Sequence, residues 1–204
     1  MSLTFYYSPM SSATRVHWAL EELGVPYEKV RIDLAAGEQQ KPEFRKLNPN
    51  GKVPLLVVDG HAIFESLAQL LFLGETYGVD KGLFPKPGLD RAEAFKWMCW
   101  VSVSMHDATV RVLKNSERAP AEERNAKARE TALRELGEHL RILDAHLAGK
   151  EHLLGGGFTL VDAASAAMVP FLARLGVDTS SVANVNAWVA RCMARPALAR
   201  VMAG

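Results

Sequence analysis

The sequence has 204 residues, enough for one large domain or two small ones, and its 24 basic and 23 acidic residues give a formal net charge of +1. A chain this close to neutrality lacks the global field that holds nucleic acid or an anionic membrane, so a small molecule is the expected partner. Two distant cysteines, with no CxxC or Cys/His pair, indicate neither a disulfide framework nor a metal site. Without a signal-like N-terminus or an apolar run of about 18 residues, a cytoplasmic location is expected.

Residues 1 to 77 alternate short β-like and helix-like segments, the pattern of an α/β unit. The predicted elements are a strand over 3–7, a helix over 13–23, a strand over 27–33, a helix over 37–47, strands over 54–58 and 62–64, and a helix over 65–77. Asp59-Gly60-His61 separates the last two strands as a hairpin turn, because glycine accepts the positive φ that such turns need. The order predicts a βαβαββα domain with a mixed sheet.

The residue pattern changes after Gly78, and the segments that follow have helical periodicity. Two prolines and a glycine within 81–87 are typical of a linker. We therefore predict one domain over 1–78, a linker over 79–88 and a second domain over 89–204.

Helical periodicity dominates the second domain. Leucines recur at spacings of three and four from Leu133 to Leu147, the stripe of a long amphipathic helix. A preceding helix is predicted over 89–115. Thr159 and Asp162 have the spacing of a capping box, which predicts the start of an apolar helix that runs to Leu175. The second domain is thus predicted to be an all-helical bundle.

Chemistry is first expected in the loop Ser8–Ser12, between the first strand and the first helix. Unpaired N–H groups and the positive end of the helix dipole stabilise an anion there, including a thiolate. Lowering a thiol pKa from ~8.5 to ~6.5 requires about 2.7 kcal/mol, which one hydroxyl donor and the dipole can supply together. Ser11 and Ser12 are the candidate donors. The alternative interpretation is that one of them caps the helix and the other is a turn residue.

Two further pairs are ambiguous when each is taken by itself. A valine before a proline is merely biased towards extended geometry, but if the Val53-Pro54 bond is cis, the valine main chain can pair with an extended peptide ligand. Glu65 and Ser66 can be a dipole-complementing acid and a cap at a helix start. Alternatively, they grip the α-amino and α-carboxylate groups of a ligand.

Taken together, these segments resemble the cytosolic glutathione S-transferases, and the resemblance covers essentially the whole chain. It is carried by the segments Tyr7-Ser8-Pro9-Met10-Ser11-Ser12, Arg15 to Gly24, Asn48-Pro49-Asn50-Gly51-Lys52-Val53-Pro54 and Phe64-Glu65-Ser66. The resemblance implies a thioredoxin-like first domain that binds glutathione as cosubstrate, without a metal. The Thr159 to Asp162 capping box resembles that of the family's helical domain.

The resemblance also implies roles for single residues. Val53, before a cis Pro54, is expected to pair with the cysteinyl backbone of glutathione. Glu65 and Ser66 are expected to bind its γ-glutamyl end. In this family the glycyl carboxylate contacts residues on and before the second helix, and Gln39, Gln40 and Lys52 stand at matching places, so they are expected to bind it.

The thiol activator is expected to be a loop serine, as in serine-type members of the family. We favour Ser11 over Ser12, and Tyr7, which stands where tyrosine-type members carry their activator, is the alternative. Cysteine-type members have a cysteine where this sequence has Ser12. That difference argues against a glutaredoxin-like thiol–disulfide role.

The predicted reaction is attack of the glutathione thiolate on a small hydrophobic electrophile, with Met10, Met105 and His106 as candidate pocket residues. A homodimer is expected by the same resemblance. Two alternatives stay open: a specialised glutathione-dependent peroxidase, dehalogenase or isomerase, and a noncatalytic protein that binds glutathione or hydrophobic ligands.

Overall fold

The first strand, β1 (Leu3–Tyr7), follows from an alternation in its own sequence. In the computed structural model, which describes residues 1–203, the side chains of Leu3, Phe5 and Tyr7 are buried, whereas Thr4 and Tyr6 are half-buried. A period of two places alternate side chains on opposite faces of a sheet. β1 is accordingly a central strand of the sheet.

The sheet has four strands in the order β2-β1-β3-β4, with β2 at Glu28–Arg31, β3 at Leu55–Val58 and β4 at His61–Phe64. β1 pairs with β2 in parallel and with β3 antiparallel, and β4 pairs antiparallel with β3. In this register Tyr6 lies opposite Leu55, and Leu55 lies opposite Phe64. The end of β1, the start of β3 and the end of β4 therefore meet at one end of the sheet.

Helices accompany this sheet in the first of two compact units, which comprises Met1–Lys86 and the segment from Arg195 onward. They are α1 (Ala13–Leu23), a short 3₁₀ turn (Glu38–Gln40), α2 (Pro42–Leu47), α3 (Ser66–Leu73) with a wide turn at Gly74–Gly78, and the C-terminal helix Pro196–Ala203. Arg195 donates to both carboxylate oxygens of Glu22 on α1 at 2.6 and 2.7 Å, and this pair ties the C-terminal segment to the unit.

The second compact unit, Pro87–Ala194, contains helices in all its regular segments. They are α4 (Leu89–Trp100), a wide turn (Val101–Met105), α5 (His106–Lys114), a 3₁₀ turn (Ala121–Glu123), α6 (Ala126–Leu147), α7 (Leu160–Ala166), α8 (Met168–Arg174) and α9 (Ala183–Met193). The C-terminal helix of the first unit, Pro196–Ala203, is therefore numbered α10. Asp162, buried in α7, accepts from Thr159, Leu153 and Trp188, which makes the predicted capping box a centre of this unit.

These elements confirm the predicted fold class, a mixed-sheet thioredoxin-like unit and a helical unit. The predicted bounds differ in places for local reasons. The helix expected over 37–47 is interrupted at Lys41, whose extended backbone is what a following proline favours. The helix expected to run to Leu175 breaks at Ala167, because Pro170 cannot donate to the carbonyl four residues before it.

The compact units divide between Lys86 and Pro87 and again between Ala194 and Arg195. The domain bounds taken from composition, 1–78 and 89–204 with a linker over 79–88, stay a prediction. Among residues 1–203, no helix has both the length and the apolar character needed to cross a bilayer.

Candidate functional site

The loop between β1 and α1 brings two hydroxyls to the N-terminus of α1. The chain reverses at Met10, whose φ of 57° is in the left-handed region, and enters the helix after Ser12. The Ser11 oxygen is held in place because its hydroxyl donates to the Ser8 carbonyl at 2.7 Å and accepts from the Ala13 N–H at 3.2 Å. Ser12 is exposed, and its hydroxyl has no hydrogen-bond partner within residues 1–203.

Two buried residues of α1 set the charge beneath this loop. Arg15, in the first turn, is buried, which lowers its pKa to about 10, so it stays protonated near neutral pH. His17 packs against the rings of Phe5 and Tyr7, and burial, with Lys29 nearby, lowers its pKa. The first turn of α1 therefore carries one positive charge in addition to the helix dipole.

Tyr7, the alternative thiol activator, ends β1 as a buried residue. Its ring stacks on Phe5 with centroids 5.8 Å apart, and the ring of His17 lies 5.4 Å away. The ammonium of Lys29 lies 6.0 Å from the same ring. Packing accounts for most of the surface of this side chain, which is 7% exposed.

The Val53-Pro54 peptide bond is cis, which fulfils the condition set by the sequence. The Val53 side chain packs against the cluster formed by Ile32, Phe44 and Leu55, and Pro54 is buried. Within residues 1–203, neither the N–H nor the C=O of Val53 has a hydrogen-bond partner. The side chain is thus anchored while the main chain keeps one donor and one acceptor for an extended ligand.

Glu65 and Ser66 join β4 to α3 through an unusual backbone conformation. Glu65 has φ 69° and ψ 114°, a sparsely populated region for a residue with a Cβ atom. It occupies the N-cap position of α3 without a capping hydrogen bond from its side chain, and it is exposed. The Ser66 hydroxyl likewise has no partner within the described chain. A carboxylate and a hydroxyl thus stand together at a helix N-terminus.

The three residues expected to meet a glycyl carboxylate have different surroundings. Gln40 donates to the Gly51 carbonyl at 3.2 Å, and a Cβ atom at Gly51 would come within 2.9 Å of that amide, so Gln40 and Gly51 fit each other closely. Gln39 contacts the Leu34 carbonyl at 3.5 Å. Lys52 is exposed and makes no ion pair with residues 1–203. Lys52 is accordingly the cation of this set that is ready to bind a carboxylate.

The sheet register brings most of these residues to one end of the sheet. Ser12 follows the end of β1, Lys52 and Val53 precede the start of β3, and Glu65 and Ser66 follow the end of β4. We call Ser12, Lys52, Val53, Glu65 and Ser66 the unpaired edge, since each keeps a polar group without a partner in residues 1–203. The sequence had indicated all of these residues, but not that they share this property.

Gln69 is a residue of this region that the sequence reasoning missed. Its side chain is fully buried on α3, and its amide nitrogen donates to the carbonyls of Pro54 at 3.0 Å and Ile63 at 2.8 Å. A signal was available, because glutamine within the apolar run Leu67 to Leu73 must find partners when it is buried.

The candidate electrophile residues are not assembled by contacts within one unit. Met10 is 68% exposed in the loop before α1, whereas Met105 is 1% exposed within the wide turn between α4 and α5. The carbonyl of Met105 accepts from the Thr109 hydroxyl at 2.6 Å. His106, the first residue of α5, is exposed. The electrophile pocket stays a prediction.

No group of three or more His, Cys, Asp or Glu side chains in the described part of the chain is placed to hold a metal ion. The candidate site residues offer hydrogen bonding and charge. They present a hydroxyl, an ammonium and a helix N-terminus to anionic groups, a carboxylate to a cation, and a peptide edge to a peptide.

Comparison with known proteins identifies the family. The sequence model described as "Glutathione S-transferase, N-terminal domain" matches residues 1–75, and the one described as "Glutathione S-transferase, C-terminal domain" matches residues 100–196. Glutathione S-transferase GstB of Escherichia coli strain K12 is 32% identical over 194 residues, 94% of this chain and 93% of the relative. Glutathione S-transferase F10 of Arabidopsis thaliana is 32% identical over 217 residues, 100% of this chain and 97% of the relative.

Solved structures of glutathione transferases have the same fold as this chain. A glutathione transferase from Burkholderia graminis, with two glutathione molecules bound per subunit, has a TM-score of 0.89 at 29% identity, covering 98% of this chain and 87% of that one. A theta class glutathione S-transferase from Xanthomonas axonopodis pv. citri, with glutathione bound, has a TM-score of 0.85 at 30% identity, covering 97% and 95%. The chain belongs to the glutathione S-transferase family.

Proposed function

We propose that this chain binds glutathione at the unpaired edge and activates its thiol for attack on small hydrophobic electrophiles. The observation that carries the proposal is the chemical match between this edge and the tripeptide. The main chain of Val53 pairs with the cysteinyl backbone, as one extended strand pairs with another. The relatives solved with glutathione have the same fold.

The two charged ends of glutathione meet opposite partners in this proposal. The Glu65 carboxylate accepts from the α-amino group, while the Ser66 hydroxyl and the N-terminus of α3 donate to the α-carboxylate. At the other end of the tripeptide, Lys52 pairs with the glycyl carboxylate. Gln40 supports this pairing indirectly, through its hydrogen bond to Gly51, and Gln39 is a second polar contact.

The thiolate is stabilised at the N-terminus of α1. We assign the principal donor to Ser11, because the Ala13 N–H fixes its oxygen and its proton needs only to turn from the Ser8 carbonyl to the sulfur. A charged acceptor makes the stronger hydrogen bond, which favours that exchange. One such bond contributes roughly 1.5–3 kcal/mol, and the dipole about 0.3–1, against the ~2.7 kcal/mol that a thiol pKa near 6.5 requires.

Alanine substitutions of the two loop serines test this assignment against each other. With glutathione bound, we expect Ser11→Ala to raise the thiol pKa by about 1–2 units and to slow conjugation of an activated aryl halide roughly tenfold to a hundredfold. Ser12→Ala, the matched control, should have the smaller effect. Thiolate absorbance in the ultraviolet reports the pKa, and calorimetry reports glutathione affinity. A larger loss in Ser12→Ala, or in Tyr7→Phe, would reassign the donor.

One observation favours a second function, binding of glutathione or hydrophobic ligands without turnover. The Ser11 proton is engaged by the Ser8 carbonyl at 2.7 Å, and if it stays there it does not reach the sulfur. Parent protein that binds glutathione but leaves its thiol pKa near ~8.5 would support the carrier. A lowered pKa without aryl halide conjugation would instead favour a specialised peroxidase, dehalogenase or isomerase.

We also propose an electrophile pocket, domain bounds and an oligomeric state. The electrophile is taken to contact Met10, Met105 and His106, and the glutathione domain is taken as 1–78, separated by the linker 79–88 from the helical domain 89–204. A homodimer is proposed from the family. Light scattering during size-exclusion chromatography tests it, since a single chain has a mass of 22.4 kDa.

A further inference from the structure

The Gln69 side chain connects two segments of the backbone around the unpaired edge. Its amide nitrogen donates to the carbonyl of Pro54, directly after the cis peptide bond, and to the carbonyl of Ile63 near the end of β4. Its own main-chain N–H donates to the carbonyl of Glu65 at 3.1 Å. One buried side chain thus joins the turn that precedes β3 to the end of β4, two residues before Glu65.

We propose that Gln69 is a positioning residue for glutathione, which fixes the separation between the Val53 main chain and the Glu65-Ser66 pair. This inference rests on the proposed function. A tripeptide that spans both groups requires them at a set distance, and displacement of a binding group by about 1 Å can weaken recognition severely. Gln69 is fully buried, so its side chain acts through Pro54 and Ile63 and not by touching the ligand.

A role in packing alone does not account for this glutamine. The other buried residues of α3, Leu70 and Leu73, are apolar, and an apolar residue at position 69 would extend the same packed face. The glutamine instead buries an amide oxygen that has no partner within residues 1–203. An unpaired buried acceptor is unfavourable for folding. The amide is therefore explained by the two carbonyls that its nitrogen binds.

Two substitutions at Gln69 and one control separate these roles. Gln69→Met preserves length and apolar volume but removes the donor, and Gln69→Glu retains a donor only while its carboxyl is protonated, which burial favours. Leu70→Met is the control for packing in the same helix. In the whole protein, amide hydrogen exchange at Leu55, Leu56 and Gln69, which lie in the paired strand β3 and in the hydrogen-bonded start of α3, reports how firmly the two segments are held, without any ligand. Calorimetry and steady-state kinetics with glutathione report its consequence.

We expect Gln69→Met to accelerate exchange at these amides selectively and to raise the Kd and KM for glutathione by about tenfold or more, with kcat at saturating glutathione nearly unchanged. For Gln69→Glu, the ratio of its Kd to the parent Kd should grow as pH rises. Leu70→Met should change neither readout. If Gln69→Met does not fold, the pH dependence of Gln69→Glu carries the test.

The outcomes distinguish this inference from the proposed function. Unchanged exchange in Gln69→Met overturns the proposal that Gln69 holds the two segments together. Faster exchange with an unchanged Kd for glutathione overturns the role of Gln69 in positioning. A kcat that falls while KM is unchanged also overturns it. A parent protein that does not bind glutathione refutes the proposed function and the positioning role, while the exchange measurement still decides whether Gln69 holds the two segments together.

Discussion

Replacement of Glu65 by glycine should make the protein more stable and less able to bind glutathione. Glu65 has φ 69° and ψ 114°, where the Cβ atom of any residue except glycine is crowded. A residue held in such a region costs about 1–3 kcal/mol. Glycine removes that cost, but the greater conformational entropy of glycine in the unfolded chain lowers the free energy of unfolding by about 0.4–1 kcal/mol.

The net expectation for Glu65→Gly is a gain of about 1 kcal/mol in the free energy of unfolding. Glu65→Ala is the matched control, since it removes the same carboxylate but keeps a Cβ atom and the same backbone conformation. The exposed carboxylate caps no N–H group of α3, so the alanine variant should lie close to the parent in stability. Urea denaturation of parent, Glu65→Gly and Glu65→Ala measures the difference.

Glutathione affinity should fall in both variants. Loss of a hydrogen bond between the carboxylate and an ammonium costs roughly 1.5–3 kcal/mol, or about a tenfold to hundredfold rise in Kd. Calorimetry measures that change. A glycine variant less stable than the alanine variant would refute the assigned backbone strain, and an unchanged Kd in both would refute the role of the carboxylate.

Three further perturbations test buried polar groups within the two units. Asp162→Ala should lower the free energy of unfolding by about 3 kcal/mol or more in urea, since it strands the buried Trp188 N–H and the cap of α7. Arg195→Ala should lower the free energy of unfolding by about 2–4 kcal/mol, because it leaves the Glu22 carboxylate, whose side chain is 6% exposed, without its cation. The double variant with Glu22→Gln should recover part of that loss in the same assay. The melting temperature should fall as the pH drops below about 6.5, because burial lowers the pKa of His17 in the folded protein. The unfolded chain then binds more protons than the folded one, and stability is lost between the unfolded and the folded pKa. His17→Phe should flatten this dependence between about pH 7.5 and 5.5.

Much of the fold could be predicted because local signals and tertiary packing agree. The strand Leu3–Tyr7 and the helix Ala13–Leu23 have the bounds that periodicity and Gly24 indicate. Prediction was less good where a proline acts inside a helical pattern. Pro42 and Pro170 each interrupt a helix at a position that hydrophobic spacing does not reveal.

The sequence indicated which residues form the candidate site. It did not indicate which hydrogen-bond partners they have. The cis bond at Val53-Pro54 was a condition that spacing could not decide, and Gln69 was hidden within an apolar run. Which loop serine has an unengaged hydroxyl also depends on geometry. Ser11 bonds to Ser8, and Ser12 does not take the capping role that its position suggests.

The backbone itself points to the same end of the sheet. Among residues 1–203, three residues other than glycine have positive φ: Met10, Asp59 and Glu65. Asp59 precedes Gly60 in the turn between β3 and β4, where both central residues of a tight hairpin need positive φ, so its conformation follows from the turn. Neither Met10 nor Glu65 lies in a hairpin. Met10 turns the chain into the N-terminus of α1, and Glu65 turns it into the N-terminus of α3, which are the two helix ends where the proposed thiolate and α-carboxylate bind. Met10 follows Pro9 in a turn, which accounts for its positive φ, whereas no turn accounts for that of Glu65. Backbone strain of that kind points to function, and it lies where the proposed α-carboxylate binds.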